Sequence, residues 1–261
     1  YNGYVYITGG TITAGDNVST VYSAPILADG KLGSWATLNT LPAVRKLHAS
    51  VAYNGYLFVL GGTAAANLST VYSAPIKSDG TIGTWATLNT LPALNYSLKA
   101  VVSNGYLYAI GGYNGAALST VYSAKLNSDG TIGSWATLNT LPGIRAYLGT
   151  TVSSGYLFVL GGSTDNNTTI VSTVYSVPLQ STAFAFNTVS NLANGNLLDV
   201  WNDKQSKFNV DYAGNLSIAG KFQSNVVPSQ DGIIGTWATL NTLPALRRGP
   251  ANVAHNGYLY S

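Results

Sequence analysis

The 261-residue chain has no cysteine, no methionine and no glutamate, only two histidines, and 8% charged residues. Without cysteine there is no disulfide framework, no thiolate zinc site and no thiol nucleophile. His48 and His255 are too few for a histidine-based metal centre, so neither a metal nor a cofactor is expected. All nine acidic residues are Asp, and none sits in a pattern suggesting the convergent carboxylate pair of a glycosidase. Lys and Arg are scattered, with Arg45-Lys46 and Arg247-Arg248 as adjacent pairs, which leaves no basic stripe to follow a nucleic-acid backbone. No apolar run approaches the roughly 20 residues of a membrane helix, and no basic-then-apolar leader opens the chain. Membrane insertion by this segment is therefore not expected. An opening Tyr1 with no Met anywhere predicts a processed product or a segment of something longer.

What is abundant is repetition. The string ATLNTLP starts at Ala36, Ala86, Ala136 and Ala238, each time directly after Trp35, Trp85, Trp135 or Trp237. Glycine pairs at Gly9-Gly10, Gly61-Gly62, Gly111-Gly112 and Gly161-Gly162 keep the same beat, as do STVYSA and STVYSV strings from Ser19, Ser69, Ser119 and Ser172. A period near 50 residues marks a repeat architecture. Within the second unit, β-branched and aromatic runs predict strands over 49–53, 55–60, 69–76 and 84–91, with turns at Asn54-Gly55, Gly61-Gly62 and Asp79-Gly80. No helical period appears. A four-stranded sheet cannot cover its own two faces, so copies must pack face to face as the blades of a propeller.

These residues resemble the Kelch family: a strand ending in Gly-Gly, then a Tyr (Tyr22, Tyr72, Tyr122, Tyr175), then a Trp, and an Arg after the Leu-Pro that ends the unit. The longer gap from Tyr72 to Trp85 is similar to Kelch-like repeats of large bacterial surface proteins. The expected fold is all-β, a Kelch-like propeller of four roughly 50-residue blades plus a truncated one. The chain opens in a second strand and ends in another. That implies either a piece of a longer propeller or a small ring closed by pairing of the first and last strands.

About 50 residues break the period in the fourth unit, giving three stretches: blades over 1–180, an inserted β-rich segment over 181–229, and the resumed fourth blade with the start of the next over 230–261. In the insert, FNVDYAGNLSIAG resembles the strand repeats of tail fibres and surface fibres. An enlarged outer hairpin or a degenerate fifth blade remains the alternative.

Asp29, Asp79, Asp129 and Asp231 recur at one turn of each unit, which marks them as turn formers. No Ser-His-Asp nucleophile-elbow sequence is present, so the chain is expected not to be an enzyme. Blade topology puts the fourth-to-first connections and the second-to-third loops on one face. There Arg45, Arg145 and Arg247 occupy matching positions, with Asn95 in the remaining copy. Either the guanidiniums ring a channel mouth and bind carboxylates or sulfates, or each satisfies backbone carbonyls between blades. In the first case His48, Tyr96, Tyr147 and Arg248 complete the ligand-binding set. The second-to-third loops, from Thr11, Thr63, Tyr113 and Ser163, differ most between copies, as expected of an adaptable rim. The texture, rich in Ser, Thr, Asn, Gly and Tyr with several Asn-x-Ser/Thr strings, is that of extracellular, cell-surface proteins of prokaryotes. The expected function is a non-catalytic adhesion or ligand-recognition module for an acidic glycan or protein. The alternative is a structural subunit that self-associates into a filament or sheath.

Overall fold

The computed structural model describes residues 1–13, 15–179, 196–202, 205–211, 216–218, 234–240, 253–255 and 258–260. Every regular element among them is a strand. Blade I consists of β1 (Tyr4–Thr13), β2 (Asp16–Pro25) and β3 (Ala36–Thr37). Blade II consists of β4 (Ala49–Tyr53), β5 (Tyr56–Leu60), β6 (Val71–Pro75) and β7 (Ala86–Thr87). Blade III repeats it with β8 (Lys99–Ser103), β9 (Tyr106–Ile110), β10 (Val121–Lys125) and β11 (Ala136–Thr137). Blade IV begins with β12 (Gly149–Ser153), β13 (Tyr156–Leu160) and β14 (Val174–Pro178). The insert strands β15 (Asn196–Asn202), β16 (Gln205–Asp211) and β17 (Leu216–Ile218) come next in sequence, and β18 (Ala238–Leu240) then completes blade IV by pairing with β14. A hairpin of β19 (Val253–His255) and β20 (Tyr258–Tyr260) follows.

All pairings are antiparallel meanders, with first and second strands joined by two-residue turns in the left-handed region at Asn54-Gly55, Asn104-Gly105 and Ser154-Gly155. Both central residues at positive φ make these the turns that match strand twist. Blade I has three strands, and among the described strands β1 pairs only with β2 and β19 only with β20. Among the described strands, no sheet joins β1 to β20. Residues 181–227 form a compact unit of their own, in which β15, β16 and β17 make a three-stranded sheet.

The core lies between blades, in three copies of one pattern. Tyr6, Val21, Leu38 and Leu41 of blade I meet Leu57, Val59, Ala74, Ile82 and Trp85 of blade II. Phe58, Leu60, Leu88 and Leu91 of blade II meet Leu107, Ala109, Ala124, Ile132 and Trp135 of blade III. The third copy joins Tyr108, Ile110 and Leu141 to Leu157, Val159, Val177, Ile234 and Trp237. Alternation along each second strand therefore serves two neighbours at once, which is why that strand reads as continuously apolar. Each fully buried Val or Leu contributes about 1.5–3 kcal/mol.

The fourth strands are shorter than the expected span over 84–91, because only Ala86 and Thr87 pair in the ladder. Beyond Thr87 the backbone keeps single bonds to its own third strand, Leu88 N–H to the Val71 carbonyl and Leu91 N–H to the Ser69 carbonyl, while side chains of ATLNTLP serve the following blade. The side-chain amide of Asn39 donates to the carbonyls of Ile82 and Gly83, and the Trp85 indole N–H returns a bond to the Asn39 carbonyl at 3.1 Å. Asn89 with Trp135 repeats the clasp, and Trp237 donates likewise to the Asn139 carbonyl. The Trp-Ala-Thr-Leu-Asn string is thus an interblade fastener with its two halves on adjacent repeats.

Candidate functional site

The fourth-to-first connections and second-to-third loops do share one face. Backbone bridges tie Lys46 to Thr63, Tyr96 to Tyr113 and Ala146 to Ser163. At the root of each connection one residue staples two blades together. The Arg45 carbonyl accepts the Gly10 N–H, the Asn95 carbonyl that of Gly62, and the Arg145 carbonyl that of Gly112, each at 2.8 Å. The glycine pairs need their positive φ for this approach. A Cβ on Gly111 (φ +59°) would stand 2.5 Å from the Arg145 carbonyl oxygen.

The side chains at these positions reach forward. Arg45 is fully buried, donates through Nη1 to the Gly61 carbonyl at 2.9 Å and through Nη2 to Thr70 Oγ1 at 3.0 Å, and lies over the Tyr72 ring at 4.5 Å. Asn95, also buried, donates to the Gly111 carbonyl at 2.8 Å and accepts the Tyr113 N–H at 3.0 Å. Arg145 donates to the Ile144 carbonyl at 2.7 Å, to the Tyr175 hydroxyl at 2.7 Å and to Thr173 Oγ1, with its guanidinium over the Tyr175 ring. Burial pulls both arginines below the usual guanidinium range, with the tyrosines opposing the shift.

This corrects the picture of a guanidinium ring at a mouth. Arg45 and Arg145 point into the protein and bond to carbonyls, hydroxyls and an aromatic face, which is the interblade alternative. Asn95 is engaged in the same way, and burial takes it off the set of accessible Asn-x-Ser strings. Arg247 and Arg248 lie outside the described residues.

Beside the exposed Val44, Leu47, Leu94 and Ile144, this face carries a group of half-buried tyrosines. The Tyr96 and Tyr113 rings sit 5.3 Å apart at 52°, both half-buried. Burial, followed by the proximity of Tyr147 and Tyr113, raises the Tyr96 hydroxyl above its ordinary pKa. The Tyr147 hydroxyl donates to Asn166 Oδ1 at 3.3 Å, which carries the surface onto the next loop. Leu47, Ser97 and Tyr147 occupy one position of successive connections, all in the left-handed region at φ 52–55°. Such a φ is costly for a bulky residue and persists only where its surroundings hold it. Here the Ser97 N–H donates to the Leu47 carbonyl at 2.7 Å and the Tyr147 N–H to the Ser97 carbonyl at 3.1 Å, so blade-to-blade backbone bonds fix the strain. Tyr113, the partner of Tyr96, was readable as the one aromatic in the four loop strings, but only the bridge to residue 96 reveals the pair.

His48 stands apart from this surface. Its Nε2 is 2.9 Å from Thr8 Oγ1, and burial with Arg45 nearby lowers its pKa to about 4. It is a neutral interblade residue. The loop expected at 11–18 is instead a hairpin extension of β1 and β2, with Thr11 opposite Asn17 and Thr13 opposite Asp16. On the fourth loop, Asp165 accepts the N–H groups of Thr168 and Thr169 and the hydroxyls of Ser163 and Thr168, so its oxygens organise the loop itself. Asp79 and Asp129 accept the N–H and hydroxyl of Thr81 and Thr131, as turn formers do. Among the described residues no group of three metal-ligating side chains comes together.

Residues 96–123 match the Kelch motif. These are Kelch-like blades. The match runs from Tyr96 through β8, β9, the Gly111-Gly112 pair and the Tyr113 loop into β10, so it takes in Tyr96 and Tyr113 as well as the strands. No curated protein matches the chain. Kelch-like blades are in general scaffolds for protein interaction rather than catalysis, and no helix among the described residues is long and apolar enough to cross a membrane.

Proposed function

We propose that the chain is a non-catalytic recognition module of an extracellular surface, which binds a polypeptide partner on the face carrying Tyr96, Tyr113 and Tyr147. The observation that supports this reading is the Tyr96–Tyr113 pair, half-exposed on backbone that is held by cross-blade hydrogen bonds. Tyrosine presents a large amphipathic surface at low entropic cost, and a rigid base lowers the cost of binding further. The face suits a neutral partner better than an acidic one, because the guanidiniums of Arg45 and Arg145 are buried and their Nη groups bond internally. The test is display selection of peptides against the chain, with a glycan array in parallel. Tyr96→Ala with Tyr113→Ala should weaken the selected peptide at least about 100-fold while leaving the melting temperature nearly unchanged. Unchanged affinity would remove this face from the function, and binding confined to the array would replace the polypeptide with a glycan.

A further inference from the structure

Four Asn-Gly pairs lie among the described residues, and the fold holds them in two ways. Asn2-Gly3, Asn54-Gly55 and Asn104-Gly105 each sit in a tight turn with both residues at positive φ. Asn114-Gly115 lies instead in the second-to-third loop of blade III, directly after Tyr113, with Gly115 at φ +120° and Asn114 outside the left-handed region. Such a pair carries its own reactive couple. The glycine nitrogen can attack the Asn side-chain carbonyl carbon, and no Cβ on the glycine hinders the approach. Whether the two atoms meet is decided by the backbone between them. In a two-residue hairpin turn of the mirror-image kind the Asn ψ is about +30°, which points the glycine nitrogen away from the Asn side chain. The ladder pairs Tyr53–Tyr56 and Ser103–Tyr106 hold that geometry, and the Tyr4 N–H closes the first turn on the Tyr1 carbonyl at 2.9 Å. The Gly55 N–H is further engaged by the Tyr1 hydroxyl at 2.6 Å, and the Asn104 amide nitrogen is buried.

None of these restraints acts on Asn114. Residues 114–116 are exposed, nothing stands within 4 Å of the place of a Cβ on Gly115, and neither the Asn114 side-chain amide nor the Gly115 N–H has a hydrogen-bond partner among the described residues. The loop is closed by the Asn114 N–H on the Ala116 carbonyl at 3.2 Å and by the bridge of Tyr113 to Ala117. Blade II closes the corresponding loop alike, with the Ala64 N–H on the Ala66 carbonyl and Thr63 bridged to Asn67, and it does so with Ala64-Ala65-Ala66 at the tip. Asn-Gly is therefore not what the loop needs in order to close.

We propose that Asn114-Gly115 is a self-modifying site, at which the folded chain converts a side-chain amide into a carboxylate beside Tyr113. The Gly115 nitrogen bonds to Asn114 Cγ and loses its proton, the Cγ–Nδ2 bond breaks, ammonia leaves, and a five-membered imide remains. Water then adds to one of the two imide carbonyls and opens the ring to an aspartyl or an isoaspartyl residue. Nothing is oxidised or reduced, and water is the only co-reactant. Each conversion takes one unit from the formal net charge of +3 and puts a negative charge next to the Tyr96–Tyr113 pair, where it acts on whatever approaches that face. The chemistry itself does not depend on the identity of a partner.

The experiment ages the folded 261-residue chain at mildly alkaline pH and maps its peptides by mass for the amide-to-acid change, with enzymatic methyl transfer to detect isoaspartate. Conversion at Asn114 should be at least about tenfold faster than at Asn54 or Asn104, because those two must first open a hairpin turn. In the chain unfolded by urea the three should convert at similar rates, which assigns the selectivity to the fold. Asn114→Gln lengthens the side chain beyond easy ring closure and should remove most of the acidic species that accumulates on ion exchange, with the melting temperature nearly unchanged. Conversion at Asn54 or Asn104 as fast as at Asn114 overturns the proposal. So does an Asn114 that stays intact in the folded chain while the unfolded chain converts, or an acidic species that forms undiminished in Asn114→Gln.

Discussion

The connection from blade I to blade II carries Arg45 and His48 where the connection from blade II to blade III carries Asn95 and Leu98. Both connections perform one backbone task, accepting the N–H of a glycine pair behind and reaching the next glycine pair in front. The first does so with a buried guanidinium supported by a tyrosine ring and a His–Thr hydrogen bond. The second uses a neutral amide, and an apolar Leu60 and Leu98 stand in place of Thr8 and His48. The repeated geometry thus resides in the backbone and the glycines, while the side chains set how charged and how pH-sensitive each interface is.

The largest effect should come from what the two connections share. Gly9→Ala and Gly61→Ala place a Cβ against the carbonyl oxygens of Arg45 and Asn95 at φ +52° and +60°. Each should cost at least about 3 kcal/mol, nearly equally, in urea unfolding. A large difference between the two would show that the backbone geometry is not the common element.

Next comes the side chain. Arg45→Ala should cost about 3 kcal/mol by leaving the Gly61 carbonyl and Thr70 hydroxyl buried without their donor, and Asn95→Ala about 2. Arg45→Asn should recover at least half of the loss at position 45, because Asn95 already reaches the equivalent carbonyl at 2.8 Å. Denaturation midpoints of the three variants decide it. No recovery would mean that the charge and the Tyr72 contact, rather than the hydrogen bond to Gly61, hold this interface.

Much of this was legible in the sequence because repetition exposes geometry. The Gly-Gly pairs, the Asn-Gly turns and the period near 50 residues locate strands, turns and blades. The fourth strands are shorter than the sequence suggests because Thr-Leu-Asn-Thr-Leu reads as strand, whereas Asn39 and Asn89 each serve a neighbour 43 residues away in sequence and Asn139 one 96 residues away. No local pattern announces that. The arginines were placed on the correct connection, but their direction depended on Tyr72 and Tyr175 of the next blade and on the carbonyls of Gly61 and Ile144, contacts that only the packed blades define. The 11–18 hairpin was missed for the opposite reason: a Gly-Asp-Asn turn in polar sequence fits an irregular loop and a strand pair equally well.

The smallest effect is the pH dependence confined to the first connection. His48 titrates at about 4 in the folded chain against about 6.5 when unfolded, so the unfolded state binds the proton more tightly. Stability is full above pH 6.5 and falls as the pH drops toward 4, by about 2 kcal/mol at pH 5. Arg45 and Lys99, the charged groups acting on His48, both oppose its protonation. Hydrogen bonds hold Asp29, Asp79, Asp129 and Asp165 below the usual carboxylate range, so their contributions are lost only at lower pH, and among the described groups with a resolved shift this window belongs to His48. Thr8→Leu with His48→Leu gives the first interface the apolar pair of the second. It should abolish the loss between pH 6.5 and 5 at little cost at pH 7, since both hydrogen-bonding partners leave together. Urea midpoints of wild type and double variant at pH 5 and pH 7 measure the difference. An unchanged slope in the variant would place the titrating group elsewhere, and the contrast between the two connections would then be one of packing alone.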